Sequence, residues 1–202
     1  MKNAFIALLI MLIPSVSMAQ DNTWEMPQQA QQQGNPDARY LEGAVPEVDG
    51  RVVFQTTIEA PGKSARQIYD IMLALLEQQC REPGQFEQSR VVIQDTTSMQ
   101  IAASYQEWLV FKNQPLNLDR TRLMYHIIVD CSDGQASVQM ARIYYLYDEE
   151  RQPQTFRAEE WITDRHGLNR SKTKLARISG KFRRKTIDRK DYLFNKYTQA
   201  LQ

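Results

Sequence analysis

The sequence contains few of the residues on which metal, nucleotide and nucleophile chemistry depend. Among its 202 residues there are two cysteines, two histidines and eight glycines. Neither His126 nor His166 is followed by a second histidine at the four-residue spacing of a helical zinc motif, and the glycines form no phosphate-binding loop. We therefore expect no metal site and no bound cofactor.

A catalytic group made of Cys131, His126 and Asp130 is also excluded. The three residues lie in a predicted strand, in which odd and even positions face opposite sides. Cys131 therefore faces away from His126 and Asp130, whereas a nucleophile and its base must approach within hydrogen-bonding distance. The carboxylates of Glu159 and Glu160 have no evident cleft. We expect no catalytic residues and no enzyme; a hydrolase that gathers acids from distant positions is the remaining enzymatic alternative.

Long apolar runs are missing as well. No stretch approaches the roughly 18 consecutive apolar residues of a transmembrane helix, so we expect none. Residues 1–19 instead combine Lys2, a short apolar run and the small-x-small sequence Ser17-Met18-Ala19, which is the pattern of a cleaved secretory signal peptide. No cysteine follows the run, so no lipid attachment is expected. The pattern predicts export to the periplasm or the cell exterior.

Residues 20–46 are polar, rich in glutamine and interrupted by prolines. We predict a flexible tether here, because too few apolar groups are present to offset the entropy lost on ordering. The remaining residues, 47–202, are numerous enough to bury one core and are predicted to form a single α+β domain.

The predicted order of elements in this domain is strand, helix, four strands, helix. Ser64 and Gln67 have the spacing of a capping box at the start of the first helix. Asp133-Gly134 is a strong signal for a hairpin turn, and Asp188 is predicted to cap the last helix. The predicted strands are residues 51–59, 90–95, 100–111, 121–131 and 135–147.

This order predicts an antiparallel five-stranded sheet with both helices on one face. The first helix returns the chain, and the strands that follow bring strand five beside strand one, in the spatial order 1-5-4-3-2. Cys80 and Cys131 then lie at opposite ends of the sheet, about 30 Å apart. A disulfide requires Cα atoms within about 7 Å, so we predict two free thiols. An exported chain with two cysteines more often has a bridge.

Three segments resemble a known family. They are residues 40–54 (YLEGAVPEVDGRVVF), 60–70 (APGKSARQIYD) and 180–194 (GKFRRKTIDRKDYLF). The family they resemble consists of uncharacterised exported proteins of gut anaerobes, described as a domain of unknown function with a TATA-binding-protein-like (TBP-like) fold. The resemblance spans residues 40–201 and implies the same order of elements. It implies no catalytic residues.

The charge is distributed unevenly along the chain. Eleven lysines and arginines lie between Arg165 and Lys190 against one acid, Asp188, whereas residues 1–164 carry 13 basic and 22 acidic side chains. We expect this run to be compensated by acids upstream in the chain, namely Asp148, Glu149, Glu150, Glu159, Glu160 and Asp164. The functional alternative is a surface for an anionic glycan or lipid, and export makes nucleic acid an unexpected partner. The candidate surface residues are Lys181, Arg183, Arg184 and Lys185.

Strands four and five are apolar on both faces, although two helices can cover only one face of an open sheet. The second face is therefore expected to be covered by the segment 148–185, by a second copy of the chain in a homodimer, or by another protein. The candidate interface residues are Met124, His126, Tyr144, Tyr145 and Tyr147.

The function predicted from these observations is that of an exported, non-enzymatic interaction or binding module. The alternative is a carrier that holds a small apolar ligand between the C-terminal helix and the sheet.

Overall fold

The computed structural model describes residues 35–114 and 117–202. A six-stranded antiparallel sheet carries the helices on one face, and a two-stranded ribbon and a short 3-10 helix, Ala38–Tyr40, lie before it in the chain. The strands are β1 Glu47–Val48, β2 Arg51–Val52, β3 Phe54–Glu59, β4 Arg90–Asp95, β5 Gln100–Gln114, β6 Asn117–Ser132, β7 Gln135–Tyr147 and β8 Gln154–Arg157. The helices are α1 Ala65–Gln79, α2 Ala158–Trp161, α3 Asp164–Gly167 and α4 Gly180–Leu201.

The order of strands across the sheet is β3-β7-β6-β5-β4, which confirms the predicted arrangement. The prediction of five strands is wrong by one. β8 pairs with the second half of β7, at Tyr144 to Tyr147, while β3 pairs with the first half. A strand of four residues shows too little alternation to stand out in the sequence.

The start of α1 confirms the capping box. The Ser64 hydroxyl accepts a hydrogen bond from the Gln67 backbone N–H at 3.3 Å, and the Gln67 side chain accepts one from the Ser64 N–H at 2.9 Å. The turn between β6 and β7 contacts the start of α1 as well. The Asp133 carboxylate accepts from the Ala65 N–H at 2.7 Å, and Gly134 adopts a φ of 78°, which favours glycine. The hairpin and the helix therefore fix each other.

The last helix begins earlier than expected. α4 starts at Gly180, after Ser179, so the prediction that Asp188 caps it is wrong. Asp188 lies inside α4, where its carboxylate accepts a hydrogen bond from the Tyr40 hydroxyl at 2.8 Å and pairs with Arg39. Because arginine and lysine are good helix formers, the second half of the basic run continues the helix instead of preceding it.

The domain also begins earlier than predicted. Residues 35–46 were assigned to the tether, but Tyr40 and Val45 are buried and the Arg183 side chain binds the Tyr40 carbonyl. The tether prediction is therefore wrong for this stretch. The predicted signal peptide, 1–19, and the tether up to residue 34 lie outside the described residues.

The core lies between the sheet and the helices. Odd positions of β6 supply its centre, with Leu123, Tyr125, Ile127 and Val129 all fully buried. α4 contributes Phe182, Ile187, Leu193, Tyr197 and Leu201. In residues 35–114 and 117–202, no helix combines the length and apolar character needed to cross a bilayer.

Candidate functional site on the open face of the sheet

The sheet has one face under the helices and a second face, called here the open face. Side-chain hydrogen bonds from the helices reach only the covered side, for example from Gln79 of α1 to Tyr125 and from Arg189 of α4 to Glu107. Even positions of β6 point the other way, and Met124, His126 and Ile128 are half-buried there. No helix of the described chain lies over them.

The segment 148–185 leaves the middle of the open face uncovered and reaches that face at one end, where Glu150 and Glu149 pair with Arg120 and Arg122 of β6. Its strand β8 extends the edge of β7, and Trp161 of α2 packs on the covered side, 5.8 Å from the Phe182 ring. This segment was one of the three predicted covers. It widens the sheet and closes the core instead of folding over the second face.

The five predicted interface residues do not share one surface. Met124, His126 and Tyr144 lie on the open face, with Tyr144 directly opposite Met124. Tyr145 is buried under α4 with its hydroxyl 2.7 Å from that of Thr186, and Tyr147 packs 5.5 Å from the Phe182 ring. The prediction is wrong for Tyr145 and Tyr147, because Tyr145 is one residue from Tyr144 on an alternating strand and Tyr147 is three residues away.

An apolar stripe crosses the open face from edge to edge. The strand register places Ile93 opposite Ala102, Ala102 opposite Ile128, and Met124 opposite Tyr144. Ile93, on the edge strand, keeps 44% of its exposure. The stripe comprises Ile93, Ala102, Trp108, Met124, Ile128, Tyr144 and Leu146.

One end of the stripe is an aromatic cluster stacked with arginines. The Arg120 guanidinium lies 3.8 Å from the Trp108 ring centroid, and Arg122 lies 4.0 Å from that of Phe86. Both arginines also pair with acids of the loop after β7: Arg120 with Glu150 at 2.7 Å, and Arg122 with Glu149. These acids therefore compensate β6, and not the basic run as we expected.

The remaining charges of the open face are separated by sign. Three acids, Glu59, Asp95 and Asp130, lie toward the β6–β7 turn and form the acidic end. Three cations, Arg90, Arg142 and Arg157, lie toward the other end of the strands and form the basic end. Within residues 35–114 and 117–202, no ion pair involves any of these six side chains.

His126 lies between the two charged ends. It is half-buried between Ser104 of β5 and Ala141 of β7. Burial and then the positive charge of Arg142 lower its pKa. No hydrogen bond of its ring joins another described residue. A neutral ring is therefore presented on the open face.

The predicted anionic-partner surface is wrong at Arg183. This side chain is fully buried and donates hydrogen bonds to the carbonyls of Tyr40 at 2.6 Å and Ile162 at 2.7 Å. It also donates to the Leu41 carbonyl at 2.5 Å and to the Asp164 carboxylate at 2.7 Å. Burial lowers the pKa of Arg183, and Asp164 opposes that change. Arg183 joins the N-terminal segment to α3 and α4.

The neighbouring basic residues are largely compensated. Lys181 pairs with Asp119 at 2.6 Å, and Arg184 pairs with Asp37 at 2.5 Å. Lys185 is half-buried. The exposed part of the basic run lies earlier, at Arg165 in α3 and, in the loop between α3 and α4, at Arg170, Lys172, Lys174 and Arg177.

A buried polar network joins the covered face to both long helices. One oxygen of Glu107 accepts from Arg189 Nε at 2.8 Å and from the Tyr125 hydroxyl at 2.7 Å. Its other oxygen accepts from Gln85 Nε2 at 3.0 Å. Gln79 continues the network from Tyr125 to the Tyr197 hydroxyl, which donates to it at 2.8 Å.

Sequence reasoning missed this network. Its only local sign is a glutamate at an inward position of β5, between Tyr105 and Leu109. Burial raises the pKa of Tyr125 and of Tyr197, which keeps both phenols protonated. Because each of these polar groups has its partner inside the core, the network stabilises the packing of both helices on the sheet.

The space that the carrier alternative requires is filled. Phe182, Leu193, Tyr197 and Leu201 of α4 are fully buried against the sheet. A solvent-open depression is found instead at the C-terminal end of α1. It is lined by Ala74, Glu77, Gln78, Arg81, Glu82 and Pro83. A charged, open depression does not suit a small apolar ligand.

The two cysteines are free and lie far apart. Cys80 contacts Tyr105 of β5, while the Cys131 N–H donates to the Met99 carbonyl just before β5. Six residues of strand separate these two points, or about 20 Å. In the part of the chain that the structure describes, no three potential ligands gather to form a metal site.

Comparison with known proteins identifies the family. A family model described as a domain of unknown function (DUF4468) with TBP-like fold matches residues 54–146. The crystal structure of a DUF4468 family protein from Bacteroides ovatus ATCC 8483 is 41% identical, with a TM-score of 0.76, covering 83% of this chain and 96% of that one. No curated protein matches.

A second solved structure agrees on the fold. A TBP-like protein from Parabacteroides distasonis ATCC 8503 is 20% identical, with a TM-score of 0.64, covering 78% of this chain and 97% of that one. At this identity the likeness concerns the fold alone. The resemblance noted in the sequence is confirmed, and the chain belongs to the DUF4468 family of proteins with a TBP-like fold.

Proposed function

We propose that the protein is an exported, non-enzymatic interaction module that binds another polypeptide through the open face of its sheet. The observation that carries this proposal is the asymmetry of the sheet. Every helix packs on one side, while Met124, Ile128 and Tyr144 on the other side stay half-buried without cover from the described chain. Exposed apolar surface of this kind is characteristic of a binding surface.

The dimensions of the open face suit a protein partner. Five strands at about 4.8 Å spacing and ten residues of strand at about 3.3 Å give an area of roughly 790 Å². A stable protein–protein interface buries about 800 Å² on each partner. The surface is broad and open, whereas a small-molecule site is concave and encloses most of its ligand.

The covered side supports a non-enzymatic role. Its buried acid, Glu107, is held by Arg189, Tyr125 and Gln85. A general acid or base would need to reach a substrate, and this carboxylate is enclosed by its partners. The signal-peptide pattern of residues 1–19 supports action outside the cytoplasm.

Site-specific photo-crosslinking tests the proposal. A photoreactive amino acid placed at Tyr144 in the exported full chain is expected to form an adduct with a polypeptide. The same group at Ile178, which is 62% exposed in the loop before α4, is the matched control and is expected to form none. Met124→Glu, introduced beside the probe, should abolish the Tyr144 adduct while circular dichroism and thermal unfolding stay unchanged.

The proposal fails if Tyr144 forms no polypeptide adduct, or if adducts form equally at Ile178. It also fails if Met124→Glu leaves the adduct unchanged, because the charge would lie in the middle of the stripe.

A further inference from the structure

We infer that the polypeptide covering the open face is a second copy of the same chain, packed face to face with its strands antiparallel to those of the first. This inference rests on the proposed function, since it names the partner of the same surface. It is carried by the placement of the charged residues around the apolar stripe.

The charges are placed symmetrically about the row that contains Ile93 and Ile128. On β4, Arg90 lies opposite Ser104 on one side of that row, and Asp95 lies opposite Gln100 on the other side. Ser104 and Gln100 are each two residues of β5 from Ala102, which belongs to the row, and this spacing is one step between neighbouring open-face positions. Arg90 and Asp95 are therefore equidistant from the row.

The opposite edge of the sheet repeats this relationship. Arg157 of β8 lies opposite Tyr144, two steps of the register from the Ile128 row. Glu59 of β3 lies opposite Gln135, two steps away on the other side. β3 and β8 both flank β7, so these two charges also lie on one line along the strands.

The two copies are related by a two-fold axis that lies midway between the sheets, runs perpendicular to the strands and passes over the Ile128 row. Rotation about this axis places each charge of one sheet over a charge of opposite sign on the other. It places Arg90 over Asp95 of the second copy and Arg157 over Glu59 of the second copy. Arg142 falls near Asp130 of the second copy by the same operation. An isologous interface requires this kind of self-complementarity.

The arrangement also has the anatomy of a protein interface. Ile93, Ala102 and Ile128 meet their own counterparts on the axis, so the centre is apolar. The charged pairs at β4 and at the β3 and β8 edge surround it as a polar rim. With the two open faces packed about 10 Å apart, the row of Ile93, Ala102 and Ile128 is buried against its own counterpart, while Met124 and Tyr144 lie over Ser132 and Gln135 of the second copy.

The first test is the molar mass of the exported full chain, measured by sedimentation equilibrium over a range of concentrations. The expected mass is that of two chains. Arg157→Glu and Glu59→Arg should each weaken the dimer by about tenfold or more, because each variant opposes like charges at both ends of its own dimer. Arg170→Glu, an exposed change in the loop between α3 and α4, should leave the dimer unchanged.

Mixing the two variants gives the decisive measurement. In a mixed dimer of Arg157→Glu and Glu59→Arg chains, every pair on this edge has opposite signs again. Two variants that are each weakly associated alone should therefore form a tight heterodimer. The double variant, with both substitutions in one chain, should recover the wild-type dissociation constant.

The inference is overturned if the wild-type chain is monomeric throughout, or if it dimerises but neither variant changes the dissociation constant. A monomer whose Tyr144 probe still forms adducts with a different protein overturns the inference and leaves the proposed function standing. A monomer without such adducts overturns both.

Discussion

Arg189 of α4 donates a hydrogen bond from Nε to Glu107 of β5 at 2.8 Å, and the two side chains keep 2% and 7% of their exposure. Burial lowers the pKa of Arg189, but Glu107 together with Tyr125 and Tyr197 opposes this change, so the pKa is raised overall. The pair holds the last helix on the sheet. It closes the covered face of the sheet.

Arg189→Met should lower the free energy of unfolding by about 3–5 kcal/mol, because it leaves the Glu107 carboxylate buried without its cation. The double variant Glu107→Leu with Arg189→Met should lose less than the single variant, since no charge remains buried. Urea unfolding measures both, with Arg170→Met as an exposed control. An Arg189→Met protein as stable as the wild type would contradict the role given to this pair.

Arg183→Met should release the N-terminal segment from the domain. The substitution leaves the carbonyls of Tyr40 and Ile162 without their buried donor, and each such group costs about 1–3 kcal/mol. Limited proteolysis should cut residues 35–46 faster than in the wild type. Arg177→Met, an exposed change in the same basic run, should have no effect; equal protection in the Arg183 variant would refute the prediction.

Gly167→Ala should also be destabilising, by about 1–3 kcal/mol. An added Cβ would lie 2.7 Å from the Ile162 carbonyl oxygen and 2.9 Å from Cδ of Arg183. Both neighbours belong to the contacts that fix Arg183, so the backbone must shift. Thermal unfolding against Arg165→Ala, at an exposed position two residues away, isolates the effect. A melting temperature equal to that of the control would count against this close packing.

Both cysteines should be thiols. Burial raises the pKa of Cys131 to about 11 and also raises that of Cys80, so few thiolates form in the folded protein near pH 8. Alkylation should therefore be slow in the native state and should speed up as the pH rises. In denaturant without reductant, mass spectrometry should find two alkylated cysteines, whereas two unreacted cysteines would indicate a disulfide.

Stability should fall as the pH falls below the ordinary histidine range. The folded-state pKa of His126 is lowered by burial and by Arg142, so near pH 6 the unfolded chain binds more protons than the folded chain. The stability contributed by the neutral ring is present above about pH 6.5 and decreases toward the lower folded-state pKa. His126→Gln should flatten this part of the profile in urea unfolding, and His166→Gln is the matched control. An unchanged profile in the His126 variant would exclude this contribution.

Much of the fold followed from short patterns. The capping box at Ser64 and the turn at Asp133-Gly134 each depend on a few adjacent residues, and the structure confirms both. Alternation along β6 and β7 identified two strands with apolar residues on both faces. Treating Tyr144, Tyr145 and Tyr147 as one surface ignored the same alternation, which assigns Tyr145 to the opposite side from Tyr144.

The candidate site could be predicted only in part from such local patterns. The basic run suggested an anionic partner, because a sequence shows how many charges a segment carries and not what each one contacts. The buried Arg183 side chain donates a hydrogen bond to the carbonyl of Tyr40, which lies 143 residues away in the chain. The separated charges of the open face come from six positions on five strands, and only the strand register brings them into symmetric rows.

The sequence by itself determined the order of strands and helices, since periodicity, capping and turn chemistry act within a few residues. Tertiary structure decided where α4 begins, which charges are buried and which face of the sheet stays open. Those outcomes depend on pairs such as Glu107 and Arg189, 82 residues apart, whose interaction exists only once the sheet and the last helix have packed together. A contact between distant residues has no local signal in the chain, and such contacts decide which charged side chains are buried and which stay exposed.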